Sequence, residues 1–534
     1  MQKELIVFIN KFESVVQPLT KASSLAYWTA SISGKEENWK KSEELNIELT
    51  KVFANKEDFA ILKRIKDSGA ITDELLKRQL DVMYDAYLGN QVDTELLNSV
   101  ISMQTEIEQK YSNFRADVNG KKLSDNEVEE VLKTSANSDE LKQAWEGHKA
   151  IGPLVAQDII GLVKKRNKIA QQLGFSNYHE MSLKLSEQDP EEISSLFDEL
   201  DNLTRDSFTG LKSEIDIYLS TRDNVNVEEL MPWHYQNRFF QEPPAIYSID
   251  LDKYYQNRNI ETLTIDYYLS IGLDIKDMLA QSDLYEKPGK NQHAYCIDID
   301  NQGDVRVLCN IKPNQNWMGT MLHEFGHANY DKYIDQLLPF TLRNPAHTFT
   351  TEAIAMFFGR MSSNAGFLVD MKLTDKVDAD KVAAEGFKVL RLEQLTFSRW
   401  AQVMYRFEKA LYQNPDQNLN TLWWDLVEKY QMIKRPAHRN QPDWASKIHI
   451  ATSPCYYHNY LLGELLASQF NHYLAATILK SQDFGQSYFG KKEVGDYFKE
   501  KVFNPGARYS WNEMIEKATG EKLTAKYYAQ QFVR

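Results

Sequence analysis

Only 15 prolines and 23 glycines punctuate 534 residues, and this scarcity of helix breakers constrains the fold more than any other property of the chain. Glycine loosens a helix through backbone entropy, and proline removes a hydrogen-bond donor and clashes with the preceding turn. In their place, long charged amphipathic stretches fill most of residues 1–280. Leu45, Leu49, Val52 and Phe53 recur at helical spacing. So do Ile193, Leu196, Phe197 and Leu200, behind a start signal of Asp189, Pro190 and Glu192. The expected class is mainly α. No Ser/Gly-rich linker, low-complexity tract or internal repeat divides the sequence, so residues 1–534 read as a single domain.

One short region departs from the helical pattern. Residues His293 to Ile299 and Val305 to Ile311 are β-rich and alternating, and the turn-like Asp300-Asn301-Gln302-Gly303-Asp304 separates them. A hairpin is expected there. It serves either as plain support or as a strand edge that holds an extended peptide by its backbone.

The net charge of −14 argues against nucleic acid, whose phosphates call for clustered Lys and Arg. Three cysteines, Cys296, Cys309 and Cys455, form neither a disulfide framework nor a metal spacing, and are expected as buried thiols. No apolar run reaches the length of a membrane span. The start, MQKELIVFINKF, is a poor secretory signal. The expected location is the cytoplasm for the chain as written, or the periplasm or exterior if a signal peptide has been removed.

Directly after the expected hairpin comes His323-Glu324-Phe325-Gly326-His327. On a helix, H-E-x-x-H sets two imidazoles one turn apart on one face, able to grip one metal ion. Glu324 then lies beside the ion without binding it, placed to take a proton from the attacking water. Zinc is the expected ion, since it suits neutral imidazole. A hydrolytic zinc site needs a third protein ligand. Leu337 to Asn344-Pro345 reads as a connection, and Thr350-Thr351 as the cap of a helical run from Glu352 to Met361. Glu352 enters that apolar helix in its first turn, where an unpaired carboxylate would be costly. It is the candidate third ligand.

These residues resemble the gluzincin metallopeptidases, and more narrowly the angiotensin-converting enzyme family of zinc peptidyl-dipeptidases. The likeness extends over roughly residues 20–470, through LAYWTASISGKEENWKKSEELNIEL, LKQAWEGHKAIGPLVAQDIIGLVKKRNKIAQQLGFSNYHEMSL, WWDLVEKYQ and DWASKIHI. It implies a mostly helical, two-lobed ellipsoid with a deep central channel, its two lobes interleaved in sequence. It assigns His323, His327 and Glu352 to one zinc ion and Glu324 to the general base and acid. His293 corresponds to a histidine that binds a substrate carbonyl, and Ala294 falls on the peptide-binding strand. Lys447 and Tyr457 correspond to residues that hold the substrate's terminal carboxylate. His449 and Tyr460 correspond to those that stabilise the transition state. The implied substrates are short peptides with a free C-terminus, cut to release dipeptides.

Three departures from the family pattern matter. The interval from His449 to the tyrosine pair is one residue longer than in the family's animal members, so Tyr456 competes with Tyr457. His458 and Asn459 stand where the family has an arginine of a chloride site, which puts chloride activation in doubt. Met356 replaces an aspartate that orients a zinc histidine, so another acceptor must serve or the metal is held less tightly. The longer tyrosine segment also resembles the thimet-type oligopeptidases, which cut internal bonds. An inactive peptide-binding homologue is a further alternative, although it would be expected to lose Glu324.

Overall fold

The computed structural model describes residues 1–247 and 249–533. Helices such as Gln2–Ser33, Pro190–Asp223 and Lys376–Gln413 dominate it. Among the described residues, β structure is limited to two antiparallel hairpins. The start signal at Asp189 acts through its carboxylate, which accepts from the Glu191 and Glu192 amides while Pro190 takes the first helical position. Ile193, Leu196, Phe197 and Leu200 follow on the buried face. Leu45 is buried too, and Leu49, Val52 and Phe53 pack against a core that includes Leu5, Phe8, Phe12 and Tyr87. Among the described residues, no helix is long and apolar enough to cross a membrane. Cys309 and Cys455 are buried, and Cys296 is only half-buried.

The chain divides into two compact units, each assembled from separated stretches. The first comprises Met1–Gln91, Ile249–Gly386 and Leu462–Tyr527. The second comprises Val92–Ser248, Phe387–Leu461 and Tyr528–Arg534. Aromatic packing anchors the second unit: Trp400 and Phe407 meet Trp423 edge-on at 5.9 and 5.1 Å. Fully burying a large apolar side chain contributes about 1.5–3 kcal/mol, so clusters of this kind carry much of each unit's stability.

The hairpin expected in the first unit forms, but its strands are shorter, Tyr295–Asp298 and Val305–Leu308. His293 and Ala294 precede the first strand instead of lying in it. The reason is local. Lys290 is buried and its ammonium donates to the Asp283, Tyr285 and Cys309 carbonyls and to the Asp283 carboxylate. The Asn310 side-chain amide donates to the Asn291 and Gln292 carbonyls at 3.0 and 3.2 Å. These bonds take up the backbone groups of 291–292, so the ladder begins only at Tyr295.

A second hairpin, Ala116–Val118 with Lys121–Leu123, was not expected from the pattern. It turns on Asn119-Gly120, both at positive φ, as a two-residue hairpin loop demands.

The run expected from Glu352 to Met361 begins earlier, at Thr348, and ends at Gly359. His347 caps it: the ring Nδ1 accepts from the Phe349 amide at 3.1 Å, and Thr350 Oγ1 accepts from the His347 amide. Glu352 therefore lies in the second turn rather than the first, and Thr351 is freed from capping.

Candidate functional site

The Gln315–Lys332 helix carries the H-E-x-x-H motif, and the Asn314 side chain caps it by accepting from the Trp317 amide. Helical spacing sets the rings of His323 and His327 4.9 Å apart and nearly perpendicular. Glu352 arrives from the Thr348–Gly359 helix. Its Oε2 lies 3.7 Å from His323 Nε2 and 3.9 Å from His327 Nε2. One ligand atom from each of the three residues lies within 4.8 Å of the others.

Glycines let the two helices approach this closely. A Cβ at Gly326 would stand 2.9 Å from the Ala355 Cα, and one at Gly319 would stand 3.0 Å from Ser362 Oγ. A Cβ at Gly359 would fall 3.4 Å from both the Gly319 carbonyl oxygen and His323 Cβ. The Tyr268 hydroxyl donates to the Leu322 carbonyl just before the motif.

The site's electrostatics point to a missing positive charge. Burial pushes the His323 imidazole down to about 4. Burial, then His323, pushes His327 down to about 3. Both rings are therefore neutral at pH 7, and their approach to Glu352 is not an ion pair. It is a convergence of electron-pair donors. Burial raises the Glu352 carboxyl, and burial with Glu352 nearby pushes Glu324 up to about 8. Among the described residues, no Lys or Arg pairs with either carboxylate. A divalent cation supplies what the buried Glu324 and half-buried Glu352 carboxylates lack, and neutral imidazole with carboxylate is a zinc donor set.

Thr351 Oγ1 lies 2.7 Å from His327 Nδ1. With a metal ion held on Nε2, Nδ1 would carry the proton and donate to the hydroxyl, the tautomer that leaves Nε2 free as a ligand. Among the described residues, no acceptor bonds His323, whose Nδ1 lies against Gly359. Met356 packs with Glu352 against the Gly463 backbone, its Sδ 3.2 Å from where a Cβ would stand.

The hairpin packs on the motif helix. The outer side of Val305–Leu308 is taken by the Asp283 backbone, which bonds the Val307 carbonyl and the Cys309 amide at 3.0 and 2.9 Å. Among the described residues, no such partner covers the outer edge of Tyr295–Asp298. His293 is exposed just before that strand, with its amide on Asn291 Oδ1. Ala294 follows it, half-buried.

A second cluster lies within the second unit. The Lys447 ammonium is buried beside the Phe239, Trp400 and Tyr457 rings, 5.1 to 5.5 Å from their centroids. It donates to Gln241 Oε1 at 2.6 Å. Among the described residues, no carboxylate pairs with it. Burial, then Arg238, pushes it down to about 7. Tyr457 links the group, its ring 5.4 Å from both His449 and Tyr460. Burial pushes Tyr457 up to about 12, and burial with Lys447 pushes His449 down to about 4. His449 Nδ1 is buried and, among the described residues, has no hydrogen-bond partner.

Gln241 and Thr351 escape the sequence analysis. Gln241 sits in the irregular Gln241-Glu242-Pro243-Pro244 stretch, where no periodicity marks it. Thr351 reads as a cap because threonine favours that role.

Paired imidazoles one turn apart, a glutamate from the following helix and a second buried glutamate beside them define a metal-site class built for hydrolysis. Comparison with known proteins agrees. Residues 1–234 and 241–532 match the family described as angiotensin-converting enzyme. The angiotensin-converting enzyme of Theromyzon tessulatum is 22% identical over 493 residues, covering 85% of this chain and 79% of the relative. That of Rattus norvegicus is 24% identical over 558 residues, covering 96% of this chain but only 41% of the relative's length. That of Haematobia irritans exigua is 24% identical over 453 residues, covering 76% and 72%. The chain belongs to the angiotensin-converting enzyme family of metallopeptidases.

Proposed function

We propose that the protein is a zinc-dependent peptidyl-dipeptidase, removing dipeptides from the free C-terminus of short peptides, with residues 1–534 acting as one catalytic domain. The observation that carries this reading is the convergence of His323, His327 and Glu352 with Glu324 buried beside them. Those three residues would hold a single zinc ion, which when bound acts as a Lewis acid and promotes ionisation of water. Glu324 takes the proton from the attacking water and returns it to the departing amine.

The remaining roles rest on the family resemblance and on the chemistry of each group. His449 and Tyr460 donate to the oxyanion that develops at the scissile carbonyl; losing one such donor costs on the order of 100- to 1000-fold in rate. Lys447, Gln241 and Tyr457 hold the terminal carboxylate. A buried ammonium that donates to a neutral amide, with no carboxylate partner among the described residues, is suited to an incoming anion, which restores its charge. The backbone beside His293 and Ala294 aligns the peptide along the hairpin edge. No chloride requirement is proposed.

Replacement of Glu324 by Gln removes the proton acceptor and leaves the three metal donors in place. The variant is expected to bind zinc as the native protein does while peptide hydrolysis falls by several orders of magnitude. Zinc content and turnover, measured on one sample, check this. Full activity in the variant would remove Glu324 from the role of base.

A further inference from the structure

In the second unit, the side chains assigned to oxyanion and carboxylate binding hang on one short stretch. A helix at His449–Thr452 leads through a turn at Ser453-Pro454-Cys455-Tyr456 into the helix that starts at His458. The turn is strained. Cys455 is buried, carries a β-carbon, and adopts φ 56°, a left-handed conformation that non-glycine residues rarely occupy.

Two buried ionisable side chains, neither with a part in the proposed chemistry, hold the two sides of this turn. At its exit, Glu408 Oε1 accepts from the Cys455 amide at 2.9 Å, and only 2% of Glu408 is exposed. At its entrance, Arg166, equally buried, donates to the Ala451 carbonyl at 2.6 Å. Arg166 is itself fixed by Gln104 Oε1 at 2.8 Å and the Tyr412 hydroxyl at 3.2 Å, with its guanidinium over the Tyr178 ring. Further along, Gln188 Oε1 accepts from His458 Nε2 at 2.7 Å and its side-chain NH2 donates to Asn459 Oδ1 at 2.7 Å, fixing the start of the next helix. Burying a guanidinium is costly, and burial pushes the Glu408 carboxyl up to about 8; a turn with no task could close on smaller neutral groups.

We propose that Glu408 and Arg166 are positioning residues: bonding Cys455 within the Ser453–Tyr456 turn and Ala451 just before it, they strap this stretch and thereby set where His449, Tyr457 and Tyr460 stand. The proposal rests on the functional reading above. A displacement of about 1 Å at a catalytic group can cost on the order of 100-fold in rate. The strap holds Cys455 in a conformation it would otherwise leave, so glycine at that position should partly replace the strap.

The test measures kcat per folded, zinc-loaded molecule and KM on a short peptide with a free carboxylate. Glu408→Leu, which removes the acceptor, is expected to lower kcat by on the order of 10- to 100-fold with KM nearly unchanged. Glu408→Gln keeps an acceptor and is expected to retain most of kcat. Adding Cys455→Gly to Glu408→Leu is expected to recover kcat severalfold. A merely structural role would lower yield and melting temperature and leave kcat per folded molecule at the native value; that result, or a double variant no better than Glu408→Leu alone, overturns the proposal. If Glu408→Leu does not fold, Arg166→Gln tests the other end, with the same kcat loss expected and native kcat overturning it. The native protein in the same assay tests the functional reading separately, since inactivity there sinks that reading and not the strap.

Discussion

Thr351 decides which nitrogen of His327 is free for a metal. Its hydroxyl lies 2.7 Å from Nδ1, placed to accept the Nδ1–H hydrogen bond that would leave Nε2, facing Glu352, free for the ion. Losing such an outer partner typically costs on the order of 10- to 100-fold in metal affinity. Thr351→Val should therefore weaken zinc binding by that amount, while Thr351→Ser stays close to native. Competition with a chelator of known affinity measures both; a valine variant that binds as tightly as the native protein removes Thr351 from the role. The sequence did not reveal this partner, because a threonine at the start of a helix carries the cap signal and nothing in its spacing ties it to His327. Away from the site, His179 tests the electrostatic account. It is buried against the Tyr405 ring, its Nε2 has no partner among the described residues, and burial with Lys409 nearby pushes it down to about 4. The folded state keeps the ring neutral, whereas the unfolded chain takes up a proton below about 6.5. The stability it contributes is thus complete above that pH and is lost as pH falls from about 6.5 toward about 4, amounting to about 2 kcal/mol at pH 5. His179→Phe should reduce the difference in unfolding free energy between pH 7.5 and pH 5 by about that much. Urea titrations at the two pH values check this, and an undiminished difference contradicts it.

At the scale of elements, the site depends on how closely the Gln315–Lys332 and Thr348–Gly359 helices can pack. Gly326 lies inside the motif itself. Alanine there would gain about 1 kcal/mol in helix propensity. Its Cβ would meet the Ala355 backbone at 2.9 Å, and overpacking of that kind costs about 1–3 kcal/mol. The contact with backbone cannot be relieved by a rotamer change, so the cost should win. Gly326→Ala is expected to lower the melting temperature and, by spreading Glu352 from the histidines, weaken zinc binding. An alanine variant more stable than the native protein would contradict the packing argument. Both helices were legible in the sequence, the first from H-E-x-x-H and the second from its apolar run. The second start was misplaced because Thr350-Thr351 carries the commoner cap signal, while His347 performs the capping. The hairpin was legible by alternation, yet its true beginning depends on Lys290 and Asn310, whose bonds reach across 5 to 19 residues. Alternation alone does not register such bonds.

For the whole molecule, each unit holds a group that lacks its counter-charge. In the first, Glu324 and Glu352 stand without a Lys or Arg partner among the described residues; in the second, Lys447 stands without a carboxylate. Under the proposed function, a zinc ion would answer the first need and a peptide's terminal carboxylate the second. The division into units left no trace in composition. The boundaries near Gly386 and Leu461 fall within helices, where no Gly/Pro-rich linker could mark them. The roles in the second unit were readable only through family resemblance, because Lys447, His449, Tyr457 and Tyr460 have no spacing as distinctive as H-E-x-x-H. The most direct test is product analysis on an N-terminally blocked heptapeptide, with zinc measured on the same protein sample. The account predicts a single zinc per chain and stepwise loss of dipeptides from the free C-terminus, stopped by amidation of that terminus. Internal cuts that ignore the amidation, or an intact peptide in the presence of zinc-loaded protein, would contradict it.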